Sequence, residues 1–364
     1  MNKKTIDTIF LASITLLTVA GFLIFSSASL GLLARDGASF QSVATNQTIG
    51  LVIGALAFFI MSRVNYKFLR KYSFYIFIFA LLLNLLLFIP ALTLSHGGAS
   101  RWINLRFVTF QPSEFLKIAF VLYFAAWLSS VKEKIATFSL GIMPYLFILT
   151  ILSSLLLAQS DTDTLVVIAG TGLVMLFSAG ARVRDMALLA SVLLVLVAGV
   201  VFFRPYARQR IMTFIHPTAD TQGAGYQIQQ SLIAIGSGQI TGRGFGQSVQ
   251  KFKYLPEPIG DSIFAVGAEE FGYIGSLSLI LLFLLFIFRS IKIASRAPDT
   301  FAGLVVIGIA VLITVESFMN ISSMIGILPL AGMPLLFVSH GGTALIIVLG
   351  AVGIIANISK FQKE

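Results

Sequence analysis

Ten long runs of apolar side chains are the feature that most constrains how this chain can fold. They lie near residues 8–30, 46–62, 72–94, 112–130, 137–158, 164–181, 184–203, 263–289, 301–326 and 334–358. A run of about 20 apolar residues is long enough to cross a bilayer as a helix. Lipid offers no partners for backbone amides, and these runs are apolar on all sides rather than alternating as barrel strands do. The sequence therefore predicts an all-α polytopic membrane protein with ten transmembrane helices.

The composition excludes the water-soluble classes. Hydrophobic residues make up 57% of the 364 residues and charged residues only 11%, whereas soluble domains carry about 25% charged residues. The chain contains no Cys, so it has neither disulfides nor thiolate metal sites. A cytosolic enzyme, a secreted disulfide scaffold and a domain with a single helical anchor are all excluded.

The distribution of Lys and Arg predicts the orientation. If the N-terminus is cytoplasmic, fifteen Lys and Arg residues fall in the inside segments, and only Arg35, Arg101 and Arg106 fall in the short outside loops. Under the positive-inside rule, both termini are then cytoplasmic. The net charge of +10 is mostly this topology signal, so we expect no binding to nucleic acid.

One long segment has no span. Residues 204–262 form a predicted large extracytoplasmic loop between helices seven and eight, within a single integral membrane domain covering residues 1–364. Its six basic residues are Arg204, Arg208, Arg210, Arg243, Lys251 and Lys253. Apolar residues between Tyr226 and Ile235 predict a short amphipathic helix at the membrane surface.

Ionisable residues near the bilayer are costly and therefore informative. Glu114, Lys117, Asp161 and Asp261 fall on the predicted outer side with the loop arginines, which indicates a polar cavity open to the exterior. Arginine suits phosphate or pyrophosphate because it makes bidentate contacts. From the residues alone, two classes remain open: a transferase acting on a polyprenyl-linked substrate, and a transporter of an anionic lipid.

Structural roles are the alternative for several of these polar residues. We expect Glu114 and Lys117, three residues apart on one helical face, to form an internal ion pair. Asp163 is expected to be the N-cap of the sixth helix. Glu269, Glu270 and Glu316 are expected to hydrogen-bond between helices. His340, inside the predicted tenth helix and followed by two glycines, is expected to mark a close helix crossing.

Four segments carry a resemblance to a known family. GASRWINL and FQPSEFLKIAFVLYFAAWL lie within 98–128, YARQRIMTFIHPTADTQGAGYQIQQSLIAIGSG within 206–238, GFGQSVQKFKYLPEPIGDSIFAVGAEEFG within 244–272, and LPLAGMPLLFVSHGGT within 328–343. In this order they resemble the SEDS family of cell-wall proteins, across essentially the whole chain. GFGQS and YLPEP are closer to its FtsW-like branch than to the RodA branch.

The resemblance implies a ten-helix peptidoglycan glycosyltransferase in the bacterial cytoplasmic membrane. Such an enzyme polymerises lipid II at the outer face, using the polyprenyl-pyrophosphate-linked glycan as donor. The family's essential Asp maps to Asp261, which would act as general base on the attacking sugar hydroxyl. A divalent cation, Mg²⁺ or Mn²⁺, would assist at the pyrophosphate. The implied partners are a class B penicillin-binding transpeptidase and other proteins of a division or elongation complex.

Further positions follow from the same resemblance. The expected substrate-binding residues are Glu114, Lys117, Arg101, Trp102, Asp161, Arg208, Arg210, Gln227, Gln230, Ser231, Lys251 and Ser339. The chain also departs from the family pattern. Gly260 precedes Asp261 where the family has Thr, Asp163 replaces a Gly in the turn around Asp161, and His340 replaces a Tyr. These departures leave a non-catalytic membrane scaffold of a cell-wall complex as one alternative to catalysis, and the charged cavity leaves a lipid II flippase as another.

Overall fold

The structure is a computed structural model that describes residues 5–34, 40–96, 99–104, 109–131, 134–135, 137–217 and 223–363. Arg35 and Arg106, two of the basic residues of the predicted short outside loops, lie outside these residues. So do residues 98, 105 and 218–222 of the family motifs.

Twelve α-helices occur in the described part of the chain. They are α1 (Thr8–Ser29), α2 (Phe40–Met61), α3 (Tyr66–Leu85), α4 (Pro112–Ser130), α5 (Met143–Ala158), α6 (Thr162–Ser178), α7 (Val183–Phe203), α8 (Pro205–Ile215), α9 (Ala224–Ser237), α10 (Ile263–Ser295), α11 (Thr300–Met324) and α12 (Gly342–Ser359). Within the described ranges, nine segments are long and apolar enough to cross a membrane, and α6 is a shorter apolar helix. The helical multi-pass fold is confirmed, while the number of ten spans stays a prediction.

A small antiparallel sheet separates α3 from α4. Its strands are β1 (Thr93–His96), β2 (Ala99–Asn104) and β3 (Thr109–Phe110), in the order β1-β2-β3. The third apolar run, predicted as helical to residue 94, ends as α-helix at Leu85, and Pro90 starts a 3₁₀ turn before the sheet. Proline lacks the amide proton that a continuing helix requires. The sheet places Arg101 on its central strand.

The predicted tenth helix was wrong at its start. We expected it to begin at residue 334, but α12 begins at Gly342, so His340 lies outside the helix. The stretch between α11 and α12 contains Pro329 and Pro334, and it is non-helical although residues 331–339 are buried or half-buried. Its apolar composition imitates a span, whereas its prolines remove two helical hydrogen bonds. This connection, residues 325–341, packs against the segment that carries Asp261.

The long loop contains two helices, α8 and α9. The predicted amphipathic segment from Tyr226 to Ile235 lies within α9 and is helical, and its position at the membrane surface stays a prediction. Proline at the first position of α8 fits its fixed backbone torsion. The loop is therefore a folded layer over one end of the bundle.

Both ends of the described chain lie at the other end of the bundle. Asp7, the N-cap of α1, accepts hydrogen bonds from Arg289 near the end of α10 at 2.7 and 2.6 Å. The Asp7 amide donates to Ser359 Oγ at the end of α12 at 3.1 Å. The termini therefore share one side, as the charge pattern predicts, and the identity of that side stays a prediction.

The helices α2 and α12 pack closely along their length. A Cβ atom on Gly50 would lie 2.9 Å from the Cα atom of Gly342, so only glycine permits this approach. The close crossing expected beside His340 is confirmed at Gly342.

Candidate active site

Asp261 lies at the end of the long loop, two residues before α10. The connection between α11 and α12 holds its backbone: Ser339 Oγ donates to the Gly260 carbonyl at 2.8 Å and accepts from the Leu335 amide at 2.8 Å. Asn320 Nδ2, from α11, donates to the Asp261 carbonyl at 2.8 Å and to the Met333 carbonyl at 2.8 Å. These bonds use backbone oxygens, so the Asp261 carboxylate stays available for chemistry.

Three charged side chains converge beside Gly332. A Cβ atom there would lie 3.2 Å from Arg210 Nη2, 3.7 Å from Asp261 Oδ2 and 3.9 Å from Asp163 Oδ2. Arg210 Nη1 donates to both oxygens of Asp163, at 2.8 and 2.7 Å, and the Gly332 amide donates to Asp163 Oδ2 at 3.3 Å. Four separate elements thus bring two carboxylates and one guanidinium to one point.

The surroundings of Asp261 make it a better base than an ordinary aspartate. Burial, together with the negative charges of Glu257 and Asp163, raises the pKa of Asp261 to about 7, while Arg210 and Arg101 act in the opposite direction. A base is most effective when its pKa lies near the working pH. The deprotonated carboxylate of Asp261 can therefore accept a proton at neutral pH, as a general base must.

Arg101 and Asp161 form a second, buried part of the site. Arg101 Nη1 lies 3.7 Å from Asp161 Oδ1, and Arg101 Nη2 donates to the Ser160 carbonyl. Asp161 is also the N-cap of α6, where it accepts from the Thr164 amide at 3.5 Å. The expected N-cap role of Asp163 was therefore wrong. Asp163 lies in the first turn of the helix and pairs with Arg210 instead.

Glu114 and Lys117 form the expected internal ion pair, with a third member. Lys117 Nζ lies 2.8 Å from Glu114 Oε1 within α4 and also donates to Glu316 Oε2 of α11. All three side chains are almost completely buried. The inter-helix role expected for Glu316 is confirmed, because this pair ties α4 to α11. Glu316 Oε1 has no hydrogen-bond partner within the described residues.

Lys251 does not reach the candidate site. Its ammonium group is fully buried and donates to Ser27 Oγ at 2.9 Å, the Gly246 carbonyl at 2.9 Å and Glu270 Oε1 at 2.7 Å. An ammonium group has three protons, and all three are used. Lys251 therefore has no donor left for a pyrophosphate, and its role here is to hold the loop.

Ser231 is also engaged within the protein. Its hydroxyl group is buried and donates to the Gln227 carbonyl at 2.8 Å. Gln227 Nε2 donates to Ser262 Oγ at 2.9 Å, so this residue, like Ser339, braces the Asp261 segment. Arg208 is exposed, and Gln230 is half-buried.

Trp102 follows Arg101 on β2 and is half-buried. Its backbone pairs with Leu94 across the sheet. The sheet therefore fixes its backbone next to Arg101.

Glu269 and Glu270 fasten the loop to α10. Glu269 accepts from Ser248 Oγ at 2.6 Å and from the amides of Val249 and Gln250 at 3.1 and 3.2 Å. Glu270 accepts from Lys251 and from Ser27 of α1. The inter-helix hydrogen bond expected for Glu270 is confirmed by Ser27 of α1. For Glu269 the expectation was wrong, because its side-chain partners within the described residues lie in the loop.

The sequence interpretation missed Asn320 and Gly332. Asn320 stands within the apolar run of α11, where a polar amide is costly unless it is bonded, and that cost is a signal that identifies it. Gly332 carries no such signal in the sequence, because its importance comes from the side chains of Arg210, Asp261 and Asp163 that meet beside it.

The described residues contain no cluster of three or more His, Asp or Glu that would hold a metal ion. Asp163 is engaged by Arg210, which leaves Asp261 as the free carboxylate at this point. Mg²⁺ commonly takes one or two carboxylates together with substrate phosphates. These side chains therefore do not form a complete metal site of their own.

Comparison with known proteins gives a consistent result. The profile of the family described as "Cell cycle protein", which groups FtsW, RodA and SpoVE, matches residues 7–364. Stage V sporulation protein E of Bacillus subtilis is 36% identical over 364 residues, covering 100% of this chain and 99% of that protein. A protein of Geobacter metallireducens named "Probable peptidoglycan glycosyltransferase FtsW" is 36% identical over 369 residues, covering 100% of this chain and 98% of that one.

Solved structures show the same fold. A chain from a peptidoglycan synthase complex matches with a TM-score of 0.81 at 22% identity, over 99% of each chain. The rod shape determining protein RodA of Thermus thermophilus matches with a TM-score of 0.72 at 22% identity, over 99% of this chain and 98% of that one. At this level of identity, the likeness concerns the fold alone.

Proposed function

We infer that this chain, which belongs to the FtsW, RodA and SpoVE family of cell cycle proteins, is a peptidoglycan glycosyltransferase that works in cell division or cell-shape maintenance. We propose that it polymerises lipid II at the outer face of the cytoplasmic membrane. The observation that carries the proposal is the convergence of Asp261 and Arg210 beside Gly332. A base next to a guanidinium suits the transfer of a sugar away from a pyrophosphate.

The proposed reaction is a direct displacement. The 4-hydroxyl oxygen of the GlcNAc in an incoming lipid II forms a bond to the anomeric carbon of the donor strand, and the bond from that carbon to the pyrophosphate breaks. Asp261 takes the hydroxyl proton as the bond forms. Because no covalent sugar intermediate is involved, the configuration at the anomeric carbon inverts.

Arginines of the site would neutralise the leaving pyrophosphate. Arg210 presents its guanidinium beside Asp261 and is supported by the Tyr206 ring, whose centroid lies 4.5 Å from the guanidinium carbon. Arg208 on α8 is exposed, and Arg101 is close enough to Asp261 to lower the pKa of its carboxyl group. Arginine binds phosphate groups with bidentate geometry.

A divalent cation, Mg²⁺ or Mn²⁺, is proposed to arrive with the pyrophosphate rather than to reside in the protein. The oxygens of the pyrophosphate and of water would supply its ligands. When bound, the cation would neutralise charge on the leaving group. The displacement above assigns to the protein side chains only proton transfer and charge neutralisation.

The proposed partner is a class B penicillin-binding transpeptidase that cross-links the new strand. The support is the fold match to a chain of a complex described as coordinating polymerisation and crosslinking. Other proteins of a division or elongation complex would bind the same assembly.

The test is polymerisation of purified lipid II by the purified protein in detergent, with and without the transpeptidase and with and without Mg²⁺. We expect glycan polymers on a denaturing gel, in greatest amount when both are present. Lipid II left unpolymerised under every condition, while a dye-quench assay shows it crossing proteoliposomes, would instead support the flippase.

A further inference from the structure

The geometry points to Asp163 as a positioning residue that holds the guanidinium of Arg210 beside Asp261. This inference rests on the proposed function and adds a residue to its machinery. Asp163 stands in the first turn of α6, whereas Arg210 lies on α8 in the long loop and Asp261 lies in the segment before α10. No other contact between charged side chains within the described residues joins the loop helix α8 to a helix of the bundle.

The contact between the two residues is specific. Both oxygens of Asp163 accept from Arg210 Nη1, at 2.8 and 2.7 Å, and Asp163 Oδ2 also accepts from the Gly332 amide at 3.3 Å. The Asp163 carboxylate is therefore itself fixed by the backbone of the connection between α11 and α12. A fixed acceptor of this kind reduces the number of rotamers open to a long arginine side chain.

The other end of the guanidinium faces the reaction point. With Nη1 bound to Asp163, Nη2 lies 3.2 Å from the position of a Cβ atom on Gly332, and Asp261 Oδ2 lies 3.7 Å from that same position. The Tyr206 ring covers the guanidinium from within α8. Asp163 thus sets the direction in which Arg210 presents its remaining protons, toward the space next to Asp261.

Asp163 also acts on Asp261 through its charge. The charged groups that act on Asp261 are Glu257 on its own loop, Asp163 of α6, Arg210 of α8 and Arg101 of the sheet. Of these, Glu257 and Asp163 raise the pKa of Asp261, whereas Arg210 and Arg101 lower it. Neutralising Asp163 while Arg210 stays in place therefore shifts the balance toward a lower pKa of Asp261.

The experiment is a double-mutant cycle on lipid II polymerisation with Asp163→Ala, Arg210→Ala and the double variant. If Asp163 acts through Arg210, we expect Asp163→Ala to lower kcat/KM about tenfold in the parent protein but less than twofold when Arg210 is already Ala. Equal losses in the two backgrounds would overturn the inference.

A second variant separates positioning from folding. Asp163→Asn keeps one carbonyl oxygen for Arg210 but loses the charge, so we expect much of the rate to return and the acidic limb of the pH–rate profile to move to lower pH. Asp185→Asn is the matched control: it changes an acidic residue at the start of α7 whose one ion pair within the described residues is with the exposed Arg184. If the acidic limb of the pH–rate profile of Asp163→Asn stays where it is in the parent, the effect of the Asp163 charge on Asp261 is contradicted. An inactive parent protein would instead contradict the proposed function.

Discussion

At the scale of single residues, Asp261 combines a free carboxylate with a fixed backbone. Hydrogen bonds from Ser339 and Asn320 hold the carbonyls of Gly260 and Asp261. The backbone bonds therefore hold the residue in place and leave the carboxylate oxygens able to accept a proton, which is what a general base requires.

The pH dependence of polymerisation follows from the pKa of Asp261. Only the deprotonated carboxylate can accept the hydroxyl proton, and burial, Glu257 and Asp163 raise its pKa to about 7. We expect the rate to be half-maximal near pH 7 and to fall about tenfold for each pH unit below that. The measurement is the initial rate of polymerisation from pH 5 to 9. A profile that stays flat down to about pH 4, the ordinary range of aspartate, would contradict this environment.

The sequence located Asp261 correctly beside basic residues but did not separate substrate contacts from structural ones. Lys251 and Arg210 are both loop cations, and nothing local distinguishes them. The distinction comes from tertiary partners. The Lys251 ammonium group donates its hydrogen bonds to Glu270 and Ser27, among others, whereas one nitrogen of Arg210 is directed at Gly332.

At the scale of elements, the loop is joined to the bundle through buried charges. Lys251→Met would leave the Glu270 carboxylate buried without its cation, and breaking a buried pair from one side costs about 3–5 kcal/mol. We expect a clearly lower unfolding temperature in detergent, measured by tryptophan fluorescence or light scattering. The exposed neighbour Lys253 provides the control: Lys253→Met should change stability by less than about 0.5 kcal/mol. Equal unfolding temperatures for the two variants would show that the Lys251–Glu270 ion pair does not stabilise the fold.

The helix α10 is broken at Gly272, where φ is 65°. The break frees backbone groups that the segment after α9 satisfies: the amides of Tyr273 and Ile274 donate to the carbonyls of Gln239 and Ile240 at 2.9 and 3.1 Å. Backbone groups freed at membrane depth need protein partners of this kind. The break therefore fixes the loop against the bundle.

Gly272→Ala should disrupt this junction. A Cβ atom there would lie 2.3 Å from the Gly242 nitrogen, and the backbone conformation is one that alanine adopts at a cost of about 1–3 kcal/mol even without the clash. We expect little folded protein after purification, judged by size-exclusion chromatography. Gly199→Ala in α7, where the new methyl group has no described neighbour within 4 Å beyond the backbone of its own helix, should behave as the parent. A normal yield of folded protein from Gly272→Ala would contradict the requirement for glycine at this position.

Helix existence was predictable from the sequence, and the exceptions have physical causes. The apolar runs identified the helices because burial in lipid demands apolar side chains. The segment from residue 334 to Gly342 is apolar because most of it is buried against other parts of the protein, not because it crosses the bilayer. Pro329 and Pro334 disfavour a helix there, and the segment is a loop that packs against residues 259–261. Helix α8 is short and polar, so it carried no apolar signal.

At the scale of the whole molecule, the loop layer and the two termini lie at opposite ends of the bundle. The charge pattern predicts that the termini are cytoplasmic. The chain has no Cys, so single cysteines can report on each end. In intact cells, a membrane-impermeant maleimide should label Tyr254→Cys, an exposed loop position, but not Lys363→Cys. Labelling of Lys363→Cys alone would invert the predicted topology and place Asp261 on the wrong side for lipid II polymerisation.

The role of Asp261 as the catalytic base is tested most directly by the polymerisation of purified lipid II by the Asp261→Asn variant beside the parent and Asp185→Asn. The amide has nearly the same shape as the carboxylate but cannot accept the proton as a base. We expect no glycan polymer from Asp261→Asn, normal polymer from Asp185→Asn, and the same elution volume and unfolding temperature for all three proteins. Polymer from Asp261→Asn at the parent rate would contradict the assignment of Asp261 as the catalytic base.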